Sequence, residues 1–272
     1  MSGPMTASAA HPSRTLRDAF PANWTARALW LGLVLYVVYA AGILQISWAR
    51  FIIGLDQGAR FLDRMWPPNL QAQKLQLITE GMLESLQIAI LATAFGVLLA
   101  LPLGLIAARN LTPAWASWAA RALIALLRTF HPVIVAILFV KAVGFGALAG
   151  SLALVVASMG FVGKLFAEAI EEISMKQVEA IRATGAGFLS VLVMGVLPQV
   201  MARFVGFVIY QLDSNLRNST MVGIVGGGGI GATLFTAYQR FDYDVVLTIL
   251  LVIIAIIMLF EVVSGWIRKV FQ

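Results

Sequence analysis

Residues 85–108 read SLQIAILATAFGVLLALPLGLIAA and lie between Glu84 and Arg109 without a charge. A helix crossing a hydrocarbon layer about 30 Å thick needs roughly 20 such residues, and its backbone polar groups must be satisfied within the segment. The stretch therefore predicts a membrane-spanning helix. The apolar/polar alternation that marks a membrane barrel is absent. Pro102 lacks an N–H and is expected to bend the helix, with a neighbouring helix covering the carbonyl it frees.

Working outward, further charge-free runs occupy 28–49, 142–163, 183–202, 218–239 and 245–260. The 272-residue chain is 60% apolar and only 12% charged. Soluble domains carry about 25% charged residues, so too little polar surface is left here to coat a globule. The expectation is an all-α integral membrane protein with six spans, at about 28–46, 85–108, 118–143, 147–168, 199–220 and 244–266.

The net charge of +6 is dispersed along the chain rather than gathered on one stripe, which argues against nucleic acid as a partner. The basic residues read instead as topology determinants. Arg14, Arg17 and Arg27 precede the first span, and Arg268 and Lys269 follow the last. Both termini are thus expected in the cytoplasm, which requires an even number of spans. The first 27 residues contain no apolar signal core, so the first span is read as a retained anchor. With no cysteine, disulfides and Cys-ligated metals are excluded.

The expected organisation is a cytoplasmic tail at 1–27, then the first span and an extracytoplasmic segment at 28–82. A core transmembrane domain at 83–266 and a cytoplasmic end at 267–272 follow. The extracytoplasmic assignment rests on the mixed charges Arg50, Asp56, Arg60, Asp63, Arg64, Lys74 and Glu80, with Trp66 of Trp66-Pro67-Pro68-Asn69 at the lipid interface.

Hydropathy alone misleads at 183–202. Gly185, Gly187, Gly195 and Pro198 interrupt this run, and Glu168, Glu171, Glu172, Lys176, Glu179 and Arg182 crowd its entrance. Ser174-Met175-Lys176-Gln177 fits a capping box, in which Ser174 bonds the Gln177 amide and Gln177 reaches back. Gly185 can then close the short helix in the left-handed conformation. A second helix starts near Phe188, and Pro198 kinks its continuation into the fifth span. The reading is a cytoplasmic helix–turn–helix at about 174–198.

Glu179-Ala180, Gly185 six residues after the Glu, and Leu197-Pro198 resemble the EAA loop of bacterial ABC importer permeases. Ile181 replaces the usual second Ala, and Gly195 stands where an aliphatic residue is common. Beyond the loop, the chain resembles phosphonate-type importer permeases from the second span to the C-terminus. The blocks carrying this are LFVKAVGFGALAG at 138–150, GFVGKLFAEAIEEI at 160–173, VEAIRATGAG at 178–187, GVLPQVM at 195–201, NLRNSTMVGIVGGGGIG at 215–231 and FDYDVVLTILLV at 241–252.

The resemblance implies a type I ABC importer permease of the bacterial inner membrane, working as a pair, with residues 174–198 docking on an ATPase subunit. Its implied partners are a second permease copy, a cytoplasmic ABC ATPase dimer that uses ATP and Mg, and a periplasmic or lipid-anchored substrate-binding protein. It implies no cofactor on this chain. The implied cargo is a phosphonate or a related phosphorus oxyanion such as phosphite or hypophosphite.

Gly226, Gly228 and Gly231 formally satisfy G-x-G-x-x-G, but inside a membrane stretch, and Asp242 and Asp244 follow too closely for a dinucleotide site. A P-loop is missing too, since Gly163-Lys164 is followed by Leu165. ATP hydrolysis is therefore assigned to a partner, and this chain is read as non-catalytic.

Non-helical backbone at membrane depth is tolerated only where it is buried in protein or lines a wet cavity, so Gly226, Gly228 and Gly229 are candidate pathway residues. Asn215, Arg217, Asn218, Ser219 and Thr220 just before them could offer hydrogen bonds to a passing oxyanion. Alternatively, Arg217 pairs with Asp213 four residues earlier on the same helix face. Arg128 and His131 in the third span form a second pathway set, with His131 as a hydrogen-bonded packing residue the competing reading. Lys141 and Lys164 are expected to snorkel to the two interfaces.

Three rival functions remain. An ion-driven secondary transporter would need inverted repeats and a midplane ion site, which the sequence does not display. A membrane enzyme would need an HExxH, paired carboxylates or a Ser/His set, also missing. A permease for methionine or another small solute would share the same loop.

Overall fold

A computed structural model describes residues 24–44 and 47–271, and every regular element among them is helical. The expected tail, with Arg14 and Arg17, lies outside the described residues except for its last positions, as does Gln272. The chain divides into two compact units, one up to Phe61 and one from Leu62 onward.

In the first unit α1 (Trp24–Ile43) carries the expected first span. Its apolar side chains are exposed along its whole length, as suits a lipid-facing helix. The second helix, α2 (Trp48–Met65), crosses the unit boundary and is amphipathic. Trp48, Ile52, Leu55 and Leu62 share one side, and Asp56 and Arg60 pair at 2.9 Å on the other.

The second unit is built on α3 (Ala72–Ala107) and α6 (Ala147–Glu171). They pack along a seam of small residues, Ala92, Gly96, Ala100 and Gly104 on α3 against Ala153, Gly163 and Ala167 on α6. Without a hydrophobic drive between helices in lipid, close backbone approach of this kind holds them. A Cβ on Gly96 would meet Ser158 Cβ at 2.4 Å, and one on Gly104 would meet Phe166 at 2.8 Å. The Arg109 amide donates to Glu171 Oε1 at 2.8 Å, so the two helices run parallel and finish at the same end.

Two parallel neighbours need a crossing between them. It is supplied by α4 (Ala114–Thr129) and α5 (Pro132–Val143), bent by 87° at Phe130-His131. The third span is thus a broken one. Its start is tied to the end of α3, because Ser117 Oγ donates to the Ala107 carbonyl at 2.8 Å. Among the described residues five helices are long and apolar enough to span a membrane, and the bent pair, taken as one span, makes six.

After α6 come α7 (Met175–Ala183), α8 (Phe188–Val191), a π-helical turn at Leu192–Val196 and α9 (Leu197–Val222). The π turn takes up the donor that Pro198 lacks: the Leu197 amide reaches back five residues to the Leu192 carbonyl. Residues 183–202 are accordingly no separate span. A second π turn, Gly223–Gly227, leads into α10 (Gly229–Gln239), a half-helix beyond the six expected spans. The last helix, α11 (Tyr243–Phe271), starts beside the start of α3, where Asp244 accepts from Asn69 at 2.7 Å and Asp242 pairs with Lys74 at 3.1 Å.

One expectation is corrected in α3: it begins at Ala72 rather than Ser85, taking in Lys74, Glu80 and Glu84. At 1.5 Å per residue its 36 residues reach about 54 Å, so the charged first turns project beyond the layer. It also runs through Pro102 as one continuous helix.

Candidate functional site

At the end where α3 and α6 finish, α7 lies across the π turn. Val178 is fully buried there, and a Cβ on Gly195 would lie 3.1 Å from Ile181 Cδ1 and 3.6 Å from Val178 Cα, so the two segments meet closely at this glycine. Gly185 has φ +80 and its amide bonds the Arg182 carbonyl at 3.0 Å, ending the helix as the sequence predicts.

The start of α7 is a correction. Ser174 is the N-cap but makes no side-chain cap bond. Gln199, in the first turn of α9, supplies a bond instead: its Oε1 accepts from the Ser174 amide at 3.0 Å, and its Nε2 donates to the Gly195 carbonyl at 2.6 Å. The element is fastened below by carboxylates at the end of α6. Glu171 accepts from Arg121 at 2.6 Å, and Glu172 pairs with Arg203. Glu179, Ala180, Gly185 and Pro198 face outward, together with Phe188, Leu189 and Met194, while Leu197 is half-buried. A rigid, outward-facing ledge with both charge and apolar surface can take a mechanical load from a docked protein.

The polar run separates into two groups. Asn215 is 0% exposed and fully engaged: Nδ2 donates to Thr93 Oγ1 at 2.9 Å and Ser158 Oγ at 2.8 Å, and Oδ1 accepts from Gln211 at 3.0 Å. This ladder joins α3, α6 and α9 and engages both polar atoms of the Asn215 amide. Ser219 is also buried, bonded to the Leu216 carbonyl at 2.7 Å. Arg217, by contrast, is exposed, and Asn218 and Thr220 are half-buried. Arg217 Nη2 pairs with Asp213 Oδ2 at 2.7 Å, the side chains being 42% and 11% exposed, so the ion pair weighed from the sequence is formed.

Gly226, Gly228 and Gly229 all take positive φ, so the break in the helix falls where the glycines do. The break is packed rather than open. The Gly226 carbonyl accepts from the Gly146 amide at 2.9 Å, Ser85 Oγ accepts from the Ile230 amide at 2.9 Å, and Gly228 and Gly229 are buried.

His131 is exposed and caps α5, its Nδ1 accepting from the Val133 amide at 3.3 Å. Arg128 lies in the last turn of α4, exposed, beside Arg121 and Lys164. Among the described residues no group of three or more His, Cys, Asp or Glu converges on a metal site. Sequence reasoning missed Gln199, Thr93, Ser158 and Gln211, whose roles depend on contacts across distant segments.

Residues 100–272 match the family described as binding-protein-dependent transport system inner membrane component. The chain is similar to the phosphate-import permease protein PhnE of Mycolicibacterium smegmatis, 43% identical over 233 residues, which are 85% of this chain and 44% of that protein. It is similar as well to the phosphite transport system permease protein PtxC of Stutzerimonas stutzeri, 39% identical over 246 residues, 90% of this chain and 88% of that one. It thus spans less than half of the first relative and most of the second. In fold it is similar to the inward-facing MetNI methionine ABC transporter, with a TM-score of 0.67 over 75% of this chain and all of that one, at 22% identity.

Proposed function

Since the chain belongs to the family of binding-protein-dependent transport system inner membrane components, we propose that it is the permease subunit of an ATP-driven importer for a phosphorus oxyanion. Two copies form the translocation pathway in a bacterial inner membrane. A separate ATPase dimer binds and hydrolyses ATP with Mg, and a periplasmic or lipid-anchored binding protein delivers the cargo. Residues 174–198 mark the cytoplasmic end, which puts the starts of α3 and α11 outside and, with α1 as a sixth crossing, both termini inside.

The observation that carries this reading is the fastened ledge of α7 and the π turn. Gln199 ties its two sides together and Glu171 and Glu172 tie the end of α6 beneath it to α4 and α9, so a push on Glu179 and Gly185 moves the bundle as a body. The cargo class is supported by the relatives named for phosphate and phosphite transport.

Proteoliposomes containing the chain with its ATPase and binding protein test the reading. ATP-dependent uptake of labelled phosphite or phosphate, not competed by methionine, is the expected result. Uptake of methionine instead would overturn the cargo class. The chain has no cysteine, so single-cysteine labelling at 50–80 and 174–187 should report opposite sides of the membrane. Labelling of 174–187 from outside would overturn the orientation.

A further inference from the structure

Between α4 and α6 lies a cavity of about 180 Å³ lined by Arg121, Ile124, Ala125, Arg128, Lys164 and Ala167. Three basic side chains from two helices converge on it, and no acid lines it. The three are not equally occupied. Arg121 is fixed, with Nε donating to the Ala107 carbonyl at 2.9 Å and Nη2 to Glu171. Lys164 has a looser partner in Glu168, 3.5 Å away, with both side chains half-exposed. Arg128 makes no hydrogen bond or ion pair among the described residues.

Arg128 is nonetheless held in place. A Cβ built on Gly160 would lie 3.0 Å from Arg128 Cγ and 3.0 Å from Leu127 Cβ, so the glycine is a seat over which the arginine stem passes. Gly160 lies eleven residues before the end of α6, about 16 Å along the helix from the end that carries the coupling ledge. A cation at membrane depth costs roughly 2.5–3.5 kcal/mol on insertion scales unless something polar receives it. Here the receiver is a small cavity whose remaining walls are alanine and isoleucine side chains, with no acceptor of their own. A compact anion with several oxygens fits that chemistry, because a guanidinium offers it a fork of donors and an ammonium a point charge.

We propose that this cavity is a binding site for a phosphate-type oxyanion, held by Arg128 and Lys164 and backed by Arg121. The oxyanion is carried either by a phospholipid headgroup or by the free cargo. Basic pockets between membrane helices bind lipid headgroups, and Arg121 and Lys164, each about seven residues from the helix end that carries the coupling ledge, are the members of this one that a headgroup reaches first. Only the free-cargo source rests on the proposed function.

The test uses the full-length chain purified with its ATPase in a phosphate-free neutral detergent. Native mass spectrometry follows retained phosphatidylglycerol, and equilibrium dialysis follows labelled inorganic phosphate and phosphite. The wild type is expected to hold at least one of these probes. Arg128→Gln and Lys164→Gln should each weaken it by about tenfold, the worth of one charge-assisted contact. Gly160→Leu should do the same by displacing the arginine stem with every charge kept, and Arg128→Lys should fall between. Retention of the lipid alone names the headgroup as occupant, and retention of the free anion alone names the cargo.

Wild type that holds neither probe, or variants that hold them as the wild type does, overturns the site. If Arg128→Gln does not assemble, Lys164→Gln at a half-exposed position decides. Uptake that fails in the wild type while binding persists would count against the transport reading only.

Discussion

Gln199 holds the turn at Ser174 from the first turn of α9, accepting from the Ser174 amide at 3.0 Å while donating to the Gly195 carbonyl at 2.6 Å. One side chain thereby joins the segment entering the coupling ledge to the segment leaving it. Each such bond contributes about 1 kcal/mol, which is enough to bias a ledge against splaying without fixing the whole bundle.

Gln199→Leu removes both bonds at a position the lipid-embedded core does not depend on. Assembly with the ATPase is expected to persist, while substrate-stimulated ATP hydrolysis falls by roughly fivefold, corresponding to about 1 kcal/mol of lost local order. Hydrolysis and uptake at wild-type levels would show that the Gln199 bonds do not transmit the load.

Gly185 offers a cleaner perturbation, because nothing lies within 4 Å of a Cβ built there and its φ is +80. Within this chain, the cost of a larger residue there comes from the backbone. Gly185→Val should strain the turn by about 1–2 kcal/mol and uncouple hydrolysis from uptake, whereas Gly185→Asn, which tolerates the left-handed region, should stay near wild type. Equal behaviour of the two variants in a coupled uptake and ATPase assay would rule out the conformational explanation.

The ledge was legible in the sequence because its signals are local. Gly185 ends a helix wherever a left-handed residue is needed, and the Glu168–Arg182 charge cluster keeps the run at 183–202 from being a span. What was not legible depends on partners far along the chain. Ser174 looks like its own cap, yet the side-chain bond at this turn arrives from Gln199. Asn215 stands in a polar run, and nothing in that run announces its bonds to Thr93 and Ser158, from two other helices. The bend at Phe130-His131 was visible only as an irregularity, since charge and proline mark a break without giving its 87°.

The Asn215 ladder is expected to matter for stability rather than transport. Asn215→Leu removes three bonds of the buried ladder and leaves Gln211 bonded to Ser158 and Thr93 to the Ala89 carbonyl, and each lost bond costs about 1 kcal/mol. The solubilised complex should melt at a lower temperature, with uptake per folded complex unchanged. A selective loss of uptake at unchanged melting temperature would place Asn215 on the pathway.

Arg217 and Asp213 are unequally buried, and that asymmetry makes their pair testable. Asp213 is the buried member, at 11% side-chain exposure, and its Oδ1 has no partner besides the arginine bond made by Oδ2. Arg217, at 42%, can reach water or a passing anion once freed. Removing the arginine strands a buried carboxylate, a loss of about 3–5 kcal/mol, whereas removing the carboxylate frees a half-exposed cation at less cost. Arg217→Gln should therefore lower the yield of folded complex more than Asp213→Asn does. The double variant should recover part of the Arg217→Gln loss, because no unpaired charge remains. Arg217→Lys keeps the charge and should fold better than Arg217→Gln. The measurement is folded complex by size exclusion together with uptake per complex for each variant. If yield is unchanged and uptake per complex falls in the order wild type, Arg217→Lys, Arg217→Gln, the guanidinium acts on the cargo and its bond to Asp213 merely positions it.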